Sequence, residues 1–206
     1  NPDGIALDSW KDALAQSDMS SDIGAFVQHM KTLNLPNTIF IDNTSGGQVA
    51  AHYENVLASS ISISTPNKIA ASSSFIQYQR LKTIAAKRGV LFEYETNVGA
   101  GLPVISVLRD LADSGDRILR IEGVLSGTLS YIFNTFQKGV QFSQTVRQAM
   151  ELGYTEPDPR DDLSCLDVRR KLLILARETG LMIEAEDITI RPLLPEACQK
   201  AASVED

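Results

Sequence analysis

With 206 residues, 43% hydrophobic and 22% charged, the chain has the apolar content of a soluble globular protein and the length for one large domain or two small ones. A net charge of −7 argues against a nucleic-acid partner held by general electrostatics, because a phosphate backbone is repelled except at a basic patch, and Arg169-Arg170-Lys171 is too short to be one. No apolar run reaches the roughly 18 to 20 residues needed to cross a bilayer, and the amino terminus lacks the basic and then apolar layout of a secretion signal, so no membrane partner is expected.

In chain order, residues 1–37 are polar and hold two short helices, at 9–16 and 22–33, the second carrying Ile23, Phe26, Val27 and Met30 at helical spacing. Thr38-Ile39-Phe40-Ile41-Asp42 follows Pro36-Asn37 and reads as a buried strand, with a helix over 48–57 behind it. Ser60-Ile61-Ser62-Ile63-Ser64 alternates with period two and runs into the turn Thr65-Pro66-Asn67. A helix over 72–87 places Phe75, Tyr78, Leu81 and Ile84 on one stripe, and 90–94 supplies a third strand. That rhythm predicts a parallel sheet and the second part of a doubly wound nucleotide-binding domain over 38–95. From Gly99 the pattern turns to α+β: a helix over 103–113, a strand over 117–125, then helices over 127–137, 143–152 and 164–179, with a polar, loosely ordered tail over 196–206. Cys165 and Cys198 show neither CxxC nor Cys/His spacing and read as free thiols of a reducing compartment.

Three stretches carry candidate chemistry. Residues 153–164 crowd acidic side chains, Pro157, Pro159 and Arg160 ahead of a helix bearing Asp167 and Lys171. The prolines stiffen the approach, Ser164 with Asp167 forms a capping pair, and Asp167 and Lys171 share one helical face. This is either a capped surface helix with a weak ion pair or a desolvated lysine beside fixed carboxylates, a common way to build a proton donor. Lys68, in Thr65-Pro66-Asn67-Lys68, sits at the carboxyl end of a parallel strand, where open α/β sheets bind ligands, and Asn43-Thr44-Ser45-Gly46 ends the preceding strand in the same way. Glu95 to Pro103 contains a GxG turn before a helix; its carbonyls and the Glu95 carboxylate suit an oxygen-preferring cation, or the segment is an inter-domain hinge. The helix opening at Ser126-Gly127-Thr128 reads as core packing.

TPNK at 65–68, ETNVGAGLPVI at 95–105, GDRILRIEGVLSGTLSYIFN at 115–134, and GYTEPDPRDDLS at 153–164 leading into RKLLILARE at 170–178 together resemble homoserine dehydrogenase, especially the form fused to aspartokinase. The resemblance implies an α/β fold, with a partial Rossmann-like NAD(P)-binding domain over 1–95 followed by an α+β catalytic and dimerisation domain over 96–206. It implies NAD(P)H-dependent, reversible reduction of aspartate 4-semialdehyde to homoserine in a homodimer or higher homo-oligomer, in the bacterial cytoplasm or the plastid stroma. On matching positions, Lys68 and Lys171 handle the proton and polarise the carbonyl, and Glu156, Asp167 and Lys171 hold the substrate. Thr44, Ser45, Asn67 and Lys68 meet the cofactor, NADP or NAD, while Glu95, Val98, Ala100 and Leu102 hold sodium. The glycine-rich phosphate turn and the return strands of the family are expected outside this stretch. Two positions depart from the family pattern: Cys165 stands where glycine is usual and Arg169 where alanine is usual. Two other readings are a catalytically silent dimerisation module and an oxidoreductase of another amino-acid-derived aldehyde.

Overall fold

The computed structural model describes residues 4–155 and 158–199, and these divide after Leu35 into two compact units. The first holds α1 (Trp10–Ala15) and α2 (Ile23–Leu33), close to the predicted spans. Asp22 opens α2 by accepting a hydrogen bond from Ala25 N at 3.0 Å. Asn34 closes it in the left-handed region at φ 44°, which asparagine tolerates better than most residues.

The second unit begins with β1 (Ile39–Ile41), α3 (Gly47–Ala50), α4 (Tyr53–Ala58), β2 (Ser62–Ser64), α5 (Lys68–Ala71), α6 (Phe75–Arg88) and β3 (Phe92–Glu93). The strands form one parallel sheet in the order β1-β2-β3, with Phe40 opposite Ile63 and Ile63 opposite Phe92. Side chains alternate across a strand, so this register lines those three residues on one buried face, while Ile39 and Ile41 turn the other way and are exposed. Tyr53 packs edge-on against Phe40 at 6.4 Å and Phe92 at 5.9 Å, and Val56, Leu57, Leu81 and Ala85 complete this core. Burying each large side chain there contributes about 1.5–3 kcal/mol. The helix predicted over 48–57 is two pieces: His52 N bonds back to Val49 O and the chain restarts, which lets Tyr53, Val56 and Leu57 all turn inward.

A 3₁₀ turn (Glu95–Asn97) leads to α7 (Ile105–Asp113). The strand predicted over 117–125 does not form; the segment has no ladder partner among the described residues, and Leu119 and Val124 stand in the open. Its apolar residues suit a strand, but a strand exists only by pairing. Next, α8 (Gly127–Thr135), α9 (Phe142–Glu151) and α10 (Pro159–Leu163) pack around Ile132, Val146, Ala149 and Leu163. Then α11 (Leu166–Glu178) buries Leu173, Ile174 and Leu175, and a 3₁₀ turn (Ala185–Asp187) follows. The tail predicted to be loosely ordered opens with a helical turn, α12 (Glu196–Gln199), and residues 200–206 lie outside the described residues.

The helix predicted over 164–179 forms as the unbroken α11, starting two residues later than predicted. Ahead of it the chain turns at Cys165, which sits at φ 60°, ψ 16° between α10 and α11, and the expected capping pair is absent. Ser164 Oγ accepts from Leu166 N at 3.3 Å instead, and Asp167 is left to other partners. A Cβ in this left-handed conformation costs about 1–2 kcal/mol, against which a glycine adds about 0.4–1 kcal/mol of unfolded-chain entropy. Cys165→Gly is therefore expected to stabilise the intact protein by about 0.5–1 kcal/mol in urea denaturation, with Cys165→Ala near zero.

Candidate active site

The carboxyl ends of β1 and β2 are locked by a buried polar network. Asp42, 2% exposed, accepts from Thr44 N at 2.7 Å, from the Tyr53 hydroxyl, and from Asn67 Nδ2 at 3.2 Å. Thr65 Oγ1 donates to Asp42 O at 2.8 Å and accepts from Asn67 N at 2.9 Å, while Asn67 Nδ2 also donates to Gly46 O and Asn67 Oδ1 accepts from Ile69 N, capping α5. Burial pushes the Asp42 carboxyl up, but the Tyr53, Thr44 and Asn67 donors outweigh it and hold the group below its ordinary value. Asn97, fully buried, orients its amide to donate to Thr65 O at 3.2 Å and Pro66 O at 2.8 Å, so the 95–97 turn braces the same strand end. The network fixes both ligand-facing turns without offering Asp42, Tyr53 or the Asn67 amide to a ligand. Tyr53 carries no local sequence signal for this role, since its partners lie 11 and 12 residues away.

These turns form one wall of a cavity of about 780 Å³; α11, the start of α8, and Asp161 and Asp162 of α10 form the others. The structure brings Thr44, Ser45, Asn67, Lys68, Asp167 and Lys171 to this one cavity. Lys171 Nζ donates to Asp167 Oδ2 at 2.8 Å and to Leu125 O at 2.7 Å, and Lys68 Nζ lies 3.4 Å from Asp167 Oδ1. Two amines 103 positions apart in the chain thus share one carboxylate. Burial raises the Asp167 carboxyl, yet the Lys171 hydrogen bond and the Lys68 charge outweigh burial and hold it below the ordinary range. An ammonium has three N–H donors, so two fixed partners leave Lys171 one for a ligand. Ser126, Gly127 and Thr128 also line the cavity, a placement the core-packing reading missed although Ile132 of the same helix is buried. Ser126 caps α8 through Leu129 N at 3.1 Å, and Thr128 Oγ1 donates to Tyr154 O at 2.6 Å. Glu156 lies outside the described residues.

The remaining candidates, Glu95, Val98, Ala100 and Leu102, sit on a separate turn. Both Glu95 oxygens accept α7 amides, from Ile105 N and Ser106 N, each at 2.8 Å. Gly99 at φ 83° and Ala100 at φ 52° turn the chain, and a Cβ on Gly99 would meet Val104 Cγ2 at 2.6 Å, so only glycine fits there. Among the described residues no three His, Cys, Asp or Glu side chains cluster as a metal site. One carboxylate plus main-chain carbonyls is a donor set for a hard monovalent ion more than for a divalent one. For a dinucleotide, the hydroxyls of Thr44 and Ser45 and the Lys68 ammonium, at the carboxyl ends of parallel strands, are the polar groups that fit.

A sequence profile described as homoserine dehydrogenase matches residues 103–205, and one described as homoserine dehydrogenase, NAD binding domain, matches residues 2–95. The chain is 48% identical over 204 residues to the chloroplastic bifunctional aspartokinase/homoserine dehydrogenase 2 of Zea mays, covering 98% of this chain and 22% of that protein. It is 42% identical over 208 residues to the homoserine dehydrogenase of Schizosaccharomyces pombe, covering 98% of this chain and 55% of that one. A solved hyperthermophilic archaeal homoserine dehydrogenase in complex with NADPH matches with a TM-score of 0.68 and 28% identity, over 78% of this chain and 48% of the other. Profiles of one family thus take in both the strand ends and the α11 lysine, and close sequence relatives run nearly end to end through the same stretch: the chain belongs to the homoserine dehydrogenase family.

Proposed function

We propose that this chain carries the substrate site and part of the cofactor site of an enzyme that reversibly reduces aspartate 4-semialdehyde to homoserine with NAD(P)H. The observation that carries the reading is the convergence of Lys68 and Lys171 on Asp167 within one cavity. Residues 1–95 serve as the cofactor half and 96–206 as the catalytic and dimerisation half, with Thr44, Ser45 and Lys68 along the dinucleotide and Asn67 lining the same wall while its amide holds the turn that carries them. The nicotinamide, when bound, supplies the hydride. Negative charge then develops on the aldehyde oxygen, and an ammonium aimed there lowers the barrier; removing one such donor typically costs about 10²–10³-fold in rate. Lys68 polarises that oxygen and Lys171 delivers the proton. Asp167, with Glu156, holds the substrate ammonium and keeps Lys171 in place, a mixed acidic and basic lining that suits a zwitterion. Glu95, Val98, Ala100 and Leu102 would hold a sodium ion that rigidifies the turn ahead of α7.

A fused aspartokinase fits the maize relative's bifunctional name, and the chloroplastic label of that relative supports a plastid location for a plant source, with the cytoplasm for a bacterial one. The exposed Leu119 and Val124 on an unpaired extended segment support a homo-oligomer that covers them. Among the described residues no helix is long and apolar enough to cross a membrane. The direct test is to mix the intact protein with NADPH and aspartate semialdehyde and follow the nicotinamide absorbance band. Loss of absorbance that is fastest for the semialdehyde among several aldehydes is expected. No oxidation by the folded protein would sink the reading and leave a silent self-associating module.

A further inference from the structure

The Lys68–Asp167–Lys171 array depends on α5 and α11 keeping their spacing, which its exposed-edge ion pairs alone hold only weakly. The helix α5 is a single turn with Lys68 at its first position and Ala71 at its last. Its start is pinned by Asn67. Its end is pinned from α11, by a residue six positions beyond Lys171, or about 9 Å along a helix axis. That residue is Arg177, whose side chain is 0% exposed. Its Nη1 donates to Ala71 O at 3.1 Å and Ser73 O at 2.7 Å. Its Nη2 donates to Ile183 O at 3.0 Å and Glu184 Oε2 at 2.9 Å, and its Nε to Ile183 O at 3.2 Å. All five guanidinium donors are used. The guanidinium also lies over the rings of Phe75 at 5.7 Å and Tyr78 at 5.3 Å. Glu184 in turn accepts Phe75 N at 2.9 Å, so it caps α6 where α6 follows α5.

We propose that Arg177 is a positioning residue that sets the distance between the two active-site amines, by tying the far end of the Lys68 helix to the helix that carries Lys171. The proposal rests on the functional reading above. A lysine at 177 keeps the charge but has three donors and no planar fork, so at least two of the five bonds are lost and the α5–α11 spacing relaxes. Asp167 and Lys171 still ride together on α11, and Thr44 and Ser45 on the β1 turn, so each ligand keeps part of its own contacts and the larger loss falls on turnover, which needs Lys68 and Lys171 at their joint spacing.

The test uses the intact protein with four forms: wild type, R177K, K171M and the double variant. R177K is expected to lower kcat by about 10- to 100-fold, the range for a small misplacement of reacting groups, with both KM values within a few-fold. In the K171M background R177K should have little further effect on kcat, because there is no longer a second amine to place. A folded R177K with wild-type kcat, or losses that multiply independently with K171M, overturns the proposal. Should R177K fail to fold, E184Q removes the ion pair while keeping the side chain's size and one acceptor oxygen; a several-fold fall in kcat that vanishes in K171M supports the proposal, and full activity overturns it. Wild-type protein without turnover refutes the functional reading and this proposal with it, an outcome distinct from active wild type with an indifferent R177K.

Discussion

Replacing Lys171 by methionine in the intact protein should lower kcat for semialdehyde reduction by about 10³-fold, the middle of the range for a positioned proton donor, while KM for NADPH stays within a few-fold. Methionine keeps the length and packing of the side chain, which is only 18% exposed, and removes the ammonium that bridges Asp167 and Leu125. Lys171→Arg keeps the charge but holds its proton too tightly to donate it, so it should not restore the rate. Steady-state rates from the absorbance assay decide the matter, and a fall of less than about tenfold would remove Lys171 from the proton-transfer role. Because Asp167 is held below its ordinary value of 3.8, the lysine–carboxylate array is complete at neutral pH and is dismantled only in strong acid, as Asp167 protonates.

The largest expected effect on stability belongs to Glu178, at the other end of α11. Its side chain, 2% exposed, accepts from the Tyr78 hydroxyl at 2.8 Å, from the Tyr94 hydroxyl, and from Arg109 Nε at 2.8 Å, with Lys82 Nζ at 3.7 Å. Arg109 also lies over the Tyr94 ring at 4.9 Å and donates from Nη1 to Glu93 Oε2 at 3.1 Å, while its Nη2 is buried without a partner among the described residues, so the Glu178 carboxylate is its buried counter-charge. Removing one member of a buried charged pair typically costs about 3–5 kcal/mol, and Glu178→Ala should fall in that range in urea denaturation at neutral pH. Burial raises the Glu178 carboxyl, but Lys82, Tyr94 and Arg109 outweigh burial and depress it below its ordinary 4.5. A depressed carboxylate stabilises fully above its unfolded value and loses that contribution as pH falls through the folded one. The wild-type advantage over Glu178→Gln should therefore be complete above about pH 5.5 and shrink steadily below pH 4.5. An advantage that persists unchanged at pH 2.5 would show that the carboxylate charge is not what holds the cluster.

The parts of the fold that were legible in the sequence are those set by local periodicity. The apolar run at 39–41 and the two-residue period at 60–64 announce strands and the Tyr78–Leu81 stripe a helix, and each of these elements lies within a few residues of its prediction. The failures come from conditions that a local pattern does not carry. The 117–125 segment has the β-branched and apolar residues of a strand but lacks a neighbour. The positive φ at Cys165 is not advertised by a cysteine and is signalled only through the resemblance, where glycine is usual at that position. The Lys68–Asp167–Lys171 constellation came from family resemblance, because spacing along one chain says nothing about which two turns meet. Arg177, Glu178 and Tyr94 escaped for the same reason: their partners lie up to 106 residues away, and each is locally unremarkable, the first two on α11 and Tyr94 just past β3.

The division after Leu35 separates the chromophores as well as the chain. The sole tryptophan, Trp10, belongs to the first unit, and all five tyrosines belong to the second, with Tyr53, Tyr78 and Tyr94 buried in its core. Indole emission excited at the red edge of the absorption band reports on one unit, and the tyrosine signature in near-ultraviolet circular dichroism is dominated by the other. A single sample taken through a melt yields two independent optical records, whose midpoints coincide only if the two units come apart together.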